Sequence, residues 1–357
     1  MTRFWATVSV EASMARGGDN FSLLRHLLAL AVIVSHAFSV GTGVGADEPL
    51  HTSTGFSLGE HAVNGFFAIS GFLVTMSFVH RGPLDYVVAR ALRIAPALIA
   101  AVLVCAFLLG PAMTILPLSD YFRDPQLWRF IQATLTTLKS TAPLPGVFTE
   151  SPFHFPLGTV WTLKYEVICY AVVLALGVAG ALRHRVVVLA LVTGLVAASL
   201  WLDFLHPEAG KGTQTSIRLP LIFLGGSLLY LYRQHVPFNP LIAVGLFAAT
   251  WLVAGTPLYH TLLFLAQIYG VLWLALGAPV AMRMPRADLS YGLYLYGWPV
   301  QQVLFVFFPA ASAAMMIAPA MVLSAIVAAL SWYLIEQPAL ALKGRLMAVR
   351  DRRIAKA

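Results

Sequence analysis

Charge is scarce in this sequence. Only 11% of the 357 residues are charged, whereas 59% are hydrophobic. A soluble domain typically carries about 25% charged residues, so the chain has too few of them to cover a water-facing surface. We therefore expect lipid to be its main solvent. The net charge of +8 is spread between apolar stretches and forms no continuous basic patch, so we expect no nucleic-acid partner.

Cysteine is nearly absent as well. The chain contains two, Cys105 and Cys169, and both fall inside apolar stretches. This pattern gives no disulfide framework and no set of metal ligands at regular spacing. We therefore expect no metal site, no redox chemistry and no tightly bound cofactor.

Long apolar stretches are abundant. A bilayer core takes roughly 20 apolar residues per helix, and the sequence offers about ten such stretches. The sequence therefore predicts an all-α, polytopic integral membrane protein of about ten transmembrane helices. The predicted spans are 23–41, 62–80, 95–116, 160–181, 186–204, 217–232, 239–255, 258–280, 288–308 and 312–335. One transmembrane domain, 23–338, would follow a cytoplasmic lead-in, 1–22, and precede a basic cytoplasmic tail, 339–357.

The basic residues predict the orientation of these spans. Most of the 23 lysines and arginines fall in the segments on one side. The other side holds only Arg123, Arg129, Lys139, Lys164, Lys211 and Arg218. Because basic residues concentrate in cytoplasmic loops, both termini are predicted to be cytoplasmic and the long loop 117–159 to face outward.

Two ionisable residues fall inside predicted spans. His36 follows Arg25 by eleven residues, roughly 16 Å along a helix, and histidine readily exchanges a proton near neutral pH. Glu166 enters the fourth span from the outside at about the same depth. There a carboxylate fixes a histidine tautomer, stabilises an imidazolium or acts as an acid. The alternatives are a packing histidine bonded to a neighbouring helix and an ion pair of Glu166 with Lys164.

A second group of charges lies on the cytoplasmic side. Arg90 and Arg93 are spaced i,i+3, so both guanidinium groups point the same way, and paired guanidiniums suit the phosphates of a nucleotide-bearing donor. Alternatively, the two arginines only orient the spans, because arginines flank the cytoplasmic loops of membrane proteins. Glu336, at the end of the last span, either holds an arginine in place or caps the membrane boundary.

One arginine and several small, aromatic and amide residues are candidate substrate contacts. Such side chains line sugar or acyl pockets, although close helix packing and an interfacial aromatic belt explain several of them equally well. The predicted substrate-binding residues are Arg25, Ser70, Trp161, Tyr165, Tyr294 and Gln301.

Taken in order, six segments resemble membrane acyltransferase family 3, the integral-membrane enzymes that acylate cell-surface saccharides. The resemblance spans nearly the whole chain. The matching segments are Leu24-Arg25 to Ser35-His36, Phe66-Phe67 to Leu73, Arg90 to Arg93, Trp161 to Glu166 with Tyr170, Ser290 to Leu295, and Glu336 to Pro338.

This resemblance implies a function and a site. His36 would be the catalytic histidine, Glu166 would fill the Trp-Ser/Thr-Leu-x-x-Glu motif, Arg90 and Arg93 would belong to an acyl-CoA site, and Glu336 to the Glu-x-Pro element. The donor would be acyl-CoA, with acetyl as the family default. The acceptor would be a saccharide or lipid-linked glycan, as in lipopolysaccharide or exopolysaccharide, at the bacterial cytoplasmic (inner) membrane.

Two departures and two rival functions stay open. Asn64 stands where the family often has an acidic residue, and Gly297 where many members have histidine.

One rival is a transporter or flippase of a lipid-linked saccharide that uses His36 and Glu166 as a proton relay; the lack of an internal repeat argues against it. The other is a non-catalytic scaffold. The sequence does not choose between His36 as a general base and as an acyl carrier, nor does it predict an oligomeric state.

Overall fold

The computed structural model describes residues 7–16, 19–277 and 287–344. Helices dominate them, as the composition predicts. The α-helices are α1 (Val10–Ala15), α2 (Phe21–Thr42), α3 (His51–Thr54), α4 (Leu58–Arg81), α5 (Pro83–Val104), α6 (Gly110–Met113), α7 (Leu118–Arg123), α8 (Pro125–Thr137), α9 (Trp161–Val178), α10 (Arg185–Leu205), α11 (Lys211–Leu231), α12 (Pro240–Leu252), α13 (Tyr259–Leu272), α14 (Ser290–Phe307) and α15 (Ala313–Ser331).

Short irregular turns extend or join these helices. Single π-helical turns continue α5, α13 and α15 at Cys105–Leu109, Trp273–Gly277 and Trp332–Glu336. Turns of 3-10 helix occur at Gly45–Asp47, Gly158–Val160 and Ala181–Arg183. Two short strands, β1 (Val8–Ser9) and β2 (Pro237–Phe238), pair antiparallel.

Seven helical segments of the described residues are long and apolar enough to cross a membrane. They are Phe21–Thr42, Leu58–Arg81, Pro83–Met113, Gly158–Val178, Arg185–Leu205, Tyr259–Gly277 and Ala313–Gly344. The prediction of an all-α, multi-pass membrane protein is therefore confirmed.

The three remaining predicted spans, 217–232, 239–255 and 288–308, coincide with α11, α12 and α14. These three segments are helical, as predicted, but they are less suited to cross a bilayer than the seven segments above. α12 has only 13 residues, α11 carries polar residues through its first turns, and α14 includes Gln301 and Gln302. Residues 1–6 and most of the predicted basic tail, 345–357, lie outside the described residues, as do Arg283 and Arg286 of the predicted inner segments.

Contacts divide the chain into two compact units. The first comprises Met1–Arg25, Val63–Tyr86 and Tyr165–Met284, and the second comprises His26–Ala62, Val87–Lys164 and Pro285–Ala357. The predicted residues Arg25, Ser70, Tyr165 and Glu166 belong to the first unit. His36, Arg90, Arg93, Trp161, Tyr294, Gln301 and Glu336 belong to the second.

Close helix packing holds the first unit together. A Cβ atom at Gly71 of α4 would lie 1.8 Å from the carbonyl oxygen of Phe223 in α11, so only glycine allows this approach. Beside it, Thr75 donates a 2.8 Å hydrogen bond to Ser227. Small residues and hydroxyl groups are what membrane helices use to associate. The geometry therefore agrees with the packing interpretation of this small-residue segment.

In the second unit, α14 is fixed by packing against α15 and by a buried core. A Cβ atom at Gly292 would lie 2.9 Å from the Cα atom of Ala328 in α15. Leu295 of α14 is fully buried with Leu127 and Phe130 of α8. This packing fixes α14, which carries several residues of the site described next.

Candidate active site

His36 lies near the C-terminal end of α2. It is six positions before the last helical residue, Thr42, a distance of roughly 9 Å along the axis. Its side chain is 22% exposed, so the ring is accessible without being fully solvated. The ring nitrogen Nδ1 lies 3.0 Å from Oε1 of Glu48.

The loop that follows α2 brings Glu48 back to the helix. The 3-10 turn Gly45–Asp47 and α3 reverse the chain, and the backbone N–H of Leu58 donates to the carbonyl oxygen of Pro49 at 2.8 Å. Leu50 adopts a left-handed conformation with φ 70°, which is uncommon for a residue other than glycine. The loop is thus a folded turn that presents a carboxylate to His36.

Two serines complete the environment of this carboxylate. Ser39 donates to Glu48 Oε1 at 2.6 Å, and Ser35 donates to Oε2. Ser35 Oγ also accepts a 2.8 Å bond from the backbone N–H of Gly59. That N–H lies in the first turn of α4, where no helical carbonyl is available to it. The buried carboxylate therefore receives three donors, and Ser35 links it to the start of α4.

These donors determine the charge of Glu48. Burial alone raises the pKa of a carboxyl group, but the hydrogen bond and charge of His36, together with Ser35 and Ser39, outweigh it and lower the pKa of Glu48 to about 2. An ionised carboxylate only accepts hydrogen bonds, so His36 Nδ1 must carry the hydrogen. Nε2 of the neutral ring then holds the lone pair, as a general base or nucleophile requires.

A pH titration of stability tests this charge state. Because the pKa of Glu48 is lowered on folding, its contribution is complete above the unfolded pKa of about 4.3 and is lost as the pH falls toward 2. We expect the free energy of unfolding of the wild type to fall by about 3 kcal/mol over that window, because folding lowers the pKa of Glu48 to about 2. Glu48→Gln should lack this part of the slope, as measured by unfolding in mixed micelles. Parallel slopes in the two proteins would contradict the assignment.

Aromatic rings hold the other side of the imidazole. The Trp298 ring of α14 meets His36 edge to face, with centroids 5.0 Å apart. Trp298 Nε1 donates to the carbonyl oxygen of Phe155 at 3.0 Å, and the Phe155 ring stacks on the indole at 5.5 Å. Gln302 Nε2 donates to the carbonyl oxygen of Phe153 at 2.6 Å. The loop that precedes α9 is thus bound to α14 next to the histidine, which restricts the ring's rotation.

Three other predicted residues belong to the same unit. Gln301 donates through Nε2 to the carbonyl oxygen of Ile33 in α2 at 2.6 Å. Tyr294 is buried, and its hydroxyl lies 2.6 Å from Thr162 Oγ1, which makes it a packing contact between α14 and α9. Trp161 begins α9. Of these three, Gln301 lies nearest in sequence to Trp298, the partner of His36.

Two predicted residues of the first unit, Glu166 and Ser70, contact each other. Glu166 accepts hydrogen bonds from Ser70 at 3.3 Å and from the hydroxyl of Tyr170 one turn along α9. Arg25 and Tyr165 belong to this unit as well. A catalytic role of Glu166 stays a prediction.

The sequence analysis missed Glu48, the carboxylate bonded to His36. Loop residues have no periodicity that assigns them to a helix face. The available signal was chemical: two serines spaced i,i+4 flank His36, and an acidic residue follows within a short loop.

The residues that depart from the family pattern have structural contacts. Asn64 is fully buried and donates to Gln267 Oε1 at 2.8 Å. A Cβ atom at Gly297 would lie 2.8 Å from the Ile33 side chain, so a histidine there requires that side chain to move.

Elsewhere in the second unit, Arg93 is bound by two carboxylates. Its Nη2 lies 2.9 Å from Asp288 and its Nη1 lies 3.7 Å from Glu336. Glu336 is 2% exposed and accepts from Ser331 Oγ at 3.1 Å. Of the two interpretations of Glu336, the structure shows the one in which it holds an arginine. Asp288, which the sequence analysis did not select, also accepts from Ser290 Oγ at 2.6 Å.

The contact between Arg93 and Glu336 is expected to stabilise the fold. Removing one partner of a buried pair leaves an uncompensated charge and costs about 3–5 kcal/mol. We therefore expect Arg93→Met to lower the free energy of unfolding by that order, measured by SDS titration in mixed micelles. Adding Glu336→Gln to Arg93→Met should restore part of the loss. Additive losses in the double variant would show that the two side chains do not interact.

In a multi-pass membrane protein, an accessible histidine oriented by a carboxylate is an arrangement suited to an enzyme with acid–base or nucleophilic chemistry. The chain belongs to acyltransferase family 3, whose acyltransferase domain matches residues 19–336. It is 30% identical over 376 residues to Nodulation protein 10 of Rhizobium leguminosarum bv. viciae, covering 93% of this chain and 96% of that protein. It is 27% identical over 339 residues to an O-acetyl transferase of Shigella phage Sf6, covering 89% of this chain and 94% of that protein.

No solved structure matches the chain significantly. The family and the relatives confirm the resemblance drawn from the six sequence segments. The protein is therefore an acyltransferase of the O-acetyltransferase type, and these comparisons do not favour the transporter.

Proposed function

We propose that the protein transfers an acyl group, acetyl, from cytoplasmic acetyl-CoA to a hydroxyl of a cell-surface saccharide. The observation that carries the proposal is the His36–Glu48 pair near the outer end of α2. The acetyl group and the saccharide rest on the family and on the relative named as an O-acetyl transferase. We place the protein in a bacterial cytoplasmic membrane, with ten spans and both termini in the cytoplasm.

The chemistry follows from the tautomer of His36. Nε2 accepts the proton of the saccharide hydroxyl while the oxygen attacks the thioester carbonyl. A C–O ester bond forms, the C–S bond breaks, and the imidazolium returns its proton to the leaving thiolate, giving free CoA. Glu48 stabilises the imidazolium between these steps. If Nε2 first takes the acyl group itself, the same pair serves an acyl-histidine relay, which label trapped on the protein would reveal.

We propose that Arg90 and Arg93, three residues apart on α5, bind the donor's phosphates. Asp288 and Glu336 contact Arg93, and in this scheme they hold its guanidinium group in position at the cytoplasmic end of the site.

Binding of the donor by the two arginines has a kinetic signature. A charge-assisted hydrogen bond contributes about 1.5–3 kcal/mol, so Arg90→Gln and Arg93→Gln should each raise the KM for acetyl-CoA by about 10- to 100-fold. Arg93→Gln is expected in addition to lower the unfolding temperature, because it removes the contacts with Asp288 and Glu336. An unchanged KM for acetyl-CoA in both variants would contradict this role of the pair.

A reconstitution experiment tests the function and its sidedness. Oriented proteoliposomes would receive radiolabelled acetyl-CoA on the side of the termini and a bacterial surface saccharide on the other. We expect label in the saccharide only when donor and acceptor occupy opposite sides. Transfer only with both on one side would contradict the arrangement. Movement of a lipid-linked saccharide without any donor would instead identify a transporter.

A further inference from the structure

A group of basic side chains lies where the loop before α10 approaches the turn after α11. The loop ends in the 3-10 turn Ala181–Arg183, and Arg185 is the first residue of α10. The Cζ atom of Arg185 lies 5.8 Å from the centroid of the Tyr232 ring, at the C-terminal end of α11. These residues all belong to the first unit, whereas His36 belongs to the second.

The turn after α11 adds an imidazole to this group. The backbone N–H of His235 donates to the carbonyl oxygen of Tyr232 at 2.8 Å, which turns the chain back. The His235 ring then meets the Tyr232 ring edge to face, with centroids 6.3 Å apart. Tyr232 therefore contacts both Arg185 and His235, and Arg183 and His235 are exposed. We call Arg183, Arg185, Tyr232 and His235 the basic cluster.

The protein does not neutralise the two arginines of the basic cluster. Among the residues that the structure describes, neither Arg183 nor Arg185 forms an ion pair with a carboxylate. Arg233 on the same turn differs, because its Nε lies 3.3 Å from Glu11. A guanidinium that lies over a ring keeps its in-plane N–H groups for an acceptor. The basic cluster therefore offers donors and positive charge to an anion.

Apolar surface borders these donors. Val186 follows Arg185 in α10, Leu189 lies one turn further along, and Val178 ends α9; all three side chains are exposed. The helix Arg185–Leu205 is long and apolar enough to cross a membrane, so its exposed apolar side chains suit contact with lipid chains. A ligand that combines an anionic group with an apolar chain fits this boundary better than a free anion does.

We propose that the basic cluster binds an anionic phospholipid of the cytoplasmic leaflet. Its phosphate accepts charge-assisted hydrogen bonds from Arg183 and Arg185, and its acyl chain lies along Val186 and Leu189. The positions of the basic residues in the sequence predict that this end of α10 is cytoplasmic, where anionic lipids attract basic residues. The bound lipid holds the adjoining ends of α10 and α11 at the membrane surface.

Lipid binding by the purified whole chain tests the site. Native mass spectrometry would give the Kd of phosphatidylglycerol and of phosphatidylcholine with the same acyl chains. We expect the wild type to bind phosphatidylglycerol about tenfold more tightly, and Arg183→Gln/Arg185→Gln to weaken that binding about 30-fold, or about fivefold for each arginine. Thermal unfolding would confirm that each variant is folded.

Arg16→Gln/Arg81→Gln is the charge-matched control. Both arginines are exposed, belong to the first unit and are predicted to be cytoplasmic, but neither contacts an aromatic ring among the described residues. We expect this control to keep the wild-type Kd. Equal losses in the two double variants would show attraction by net charge alone and would overturn the site. Displacement of phosphatidylglycerol by millimolar inorganic phosphate would assign the cluster to a free anion and would also overturn it.

A substitution that keeps the charge tests the role of Tyr232. Lysine at position 185 lacks the planar group that lies over the ring and binds phosphate through two N–H groups. We expect Arg185→Lys and Tyr232→Leu each to weaken phosphatidylglycerol binding about two- to fivefold, the value of one cation–π contact. Arg16→Lys should have no effect. Wild-type affinity in both Arg185→Lys and Tyr232→Leu would contradict a site built on the stacked arginine.

Discussion

Replacing His36 with alanine is expected to lower kcat for acyl transfer by about 100- to 10,000-fold, the contribution of a positioned acid–base group. The variant loses Nε2, the atom that takes the hydroxyl proton, while the carboxylate of Glu48 keeps its bonds from Ser35 and Ser39. The KM for acetyl-CoA should change little, because no donor contact is removed. The rate of label transfer from acetyl-CoA to saccharide measures this effect.

A second histidine provides the control for that measurement. His154 is exposed in the loop that precedes α9, and its Nδ1 contacts only the carbonyl oxygen of Phe148 among the described residues, at 3.0 Å. His154→Ala should retain nearly the wild-type rate. If His36→Ala is folded and as active as His154→Ala, the mechanism proposed for His36 is wrong. A non-catalytic, scaffold role of His36 is then favoured.

Glu48→Gln is expected to lower kcat by about 100-fold or more, although it changes neither length nor shape. Glutamine has no charge to stabilise the imidazolium, and its amide can turn an N–H toward Nδ1. The neutral ring then takes the tautomer with hydrogen on Nε2, which removes the base from the reacting side. We expect the loss to fall on kcat and not on the KM for either substrate.

Glu60 offers a matched control in the same segment. Its Oε2 accepts from the backbone N–H of Ser57 at 3.0 Å, while Ser57 Oγ accepts from the N–H of Glu60. This reciprocal cap of α4 tolerates glutamine as well as glutamate. Glu60→Gln should therefore leave kcat unchanged, and an equal loss in both variants would mean that Glu48 acts only through the fold of the loop.

The membrane helices were predictable because length and apolarity are local properties of the sequence. The sequence singles out His36 for a related reason, since a titratable side chain inside a span is costly and is usually kept for a function, and its catalytic role stays a prediction. The partner of His36 was not predictable in this way. Glu48 reaches the histidine through a loop whose path depends on a left-handed Leu50 and on the Leu58–Pro49 hydrogen bond.

The contacts of Arg93 with Asp288 and Glu336 show the same contrast between what the sequence predicts and what the packing adds. The i,i+3 spacing of Arg90 and Arg93 is visible in the sequence, and so is Glu336 at the end of the last span. That Arg93 lies between Asp288 and Glu336 depends on how α5, α14 and α15 pack. The sequence therefore suggests which residues carry charge at this face, and only the packing shows which charges neutralise each other.

A double-variant cycle on label transfer from acetyl-CoA tests most directly whether His36 and Glu48 act as one catalytic unit. Purified, reconstituted wild type, His36→Ala, Glu48→Gln and the double variant would be compared, each with its fold checked. Groups that act as a unit have strongly non-additive effects. We predict that the double variant is no slower than His36→Ala alone. Losses that multiply in the double variant, or a wild type that neither binds nor turns over acetyl-CoA, would contradict the catalytic pair.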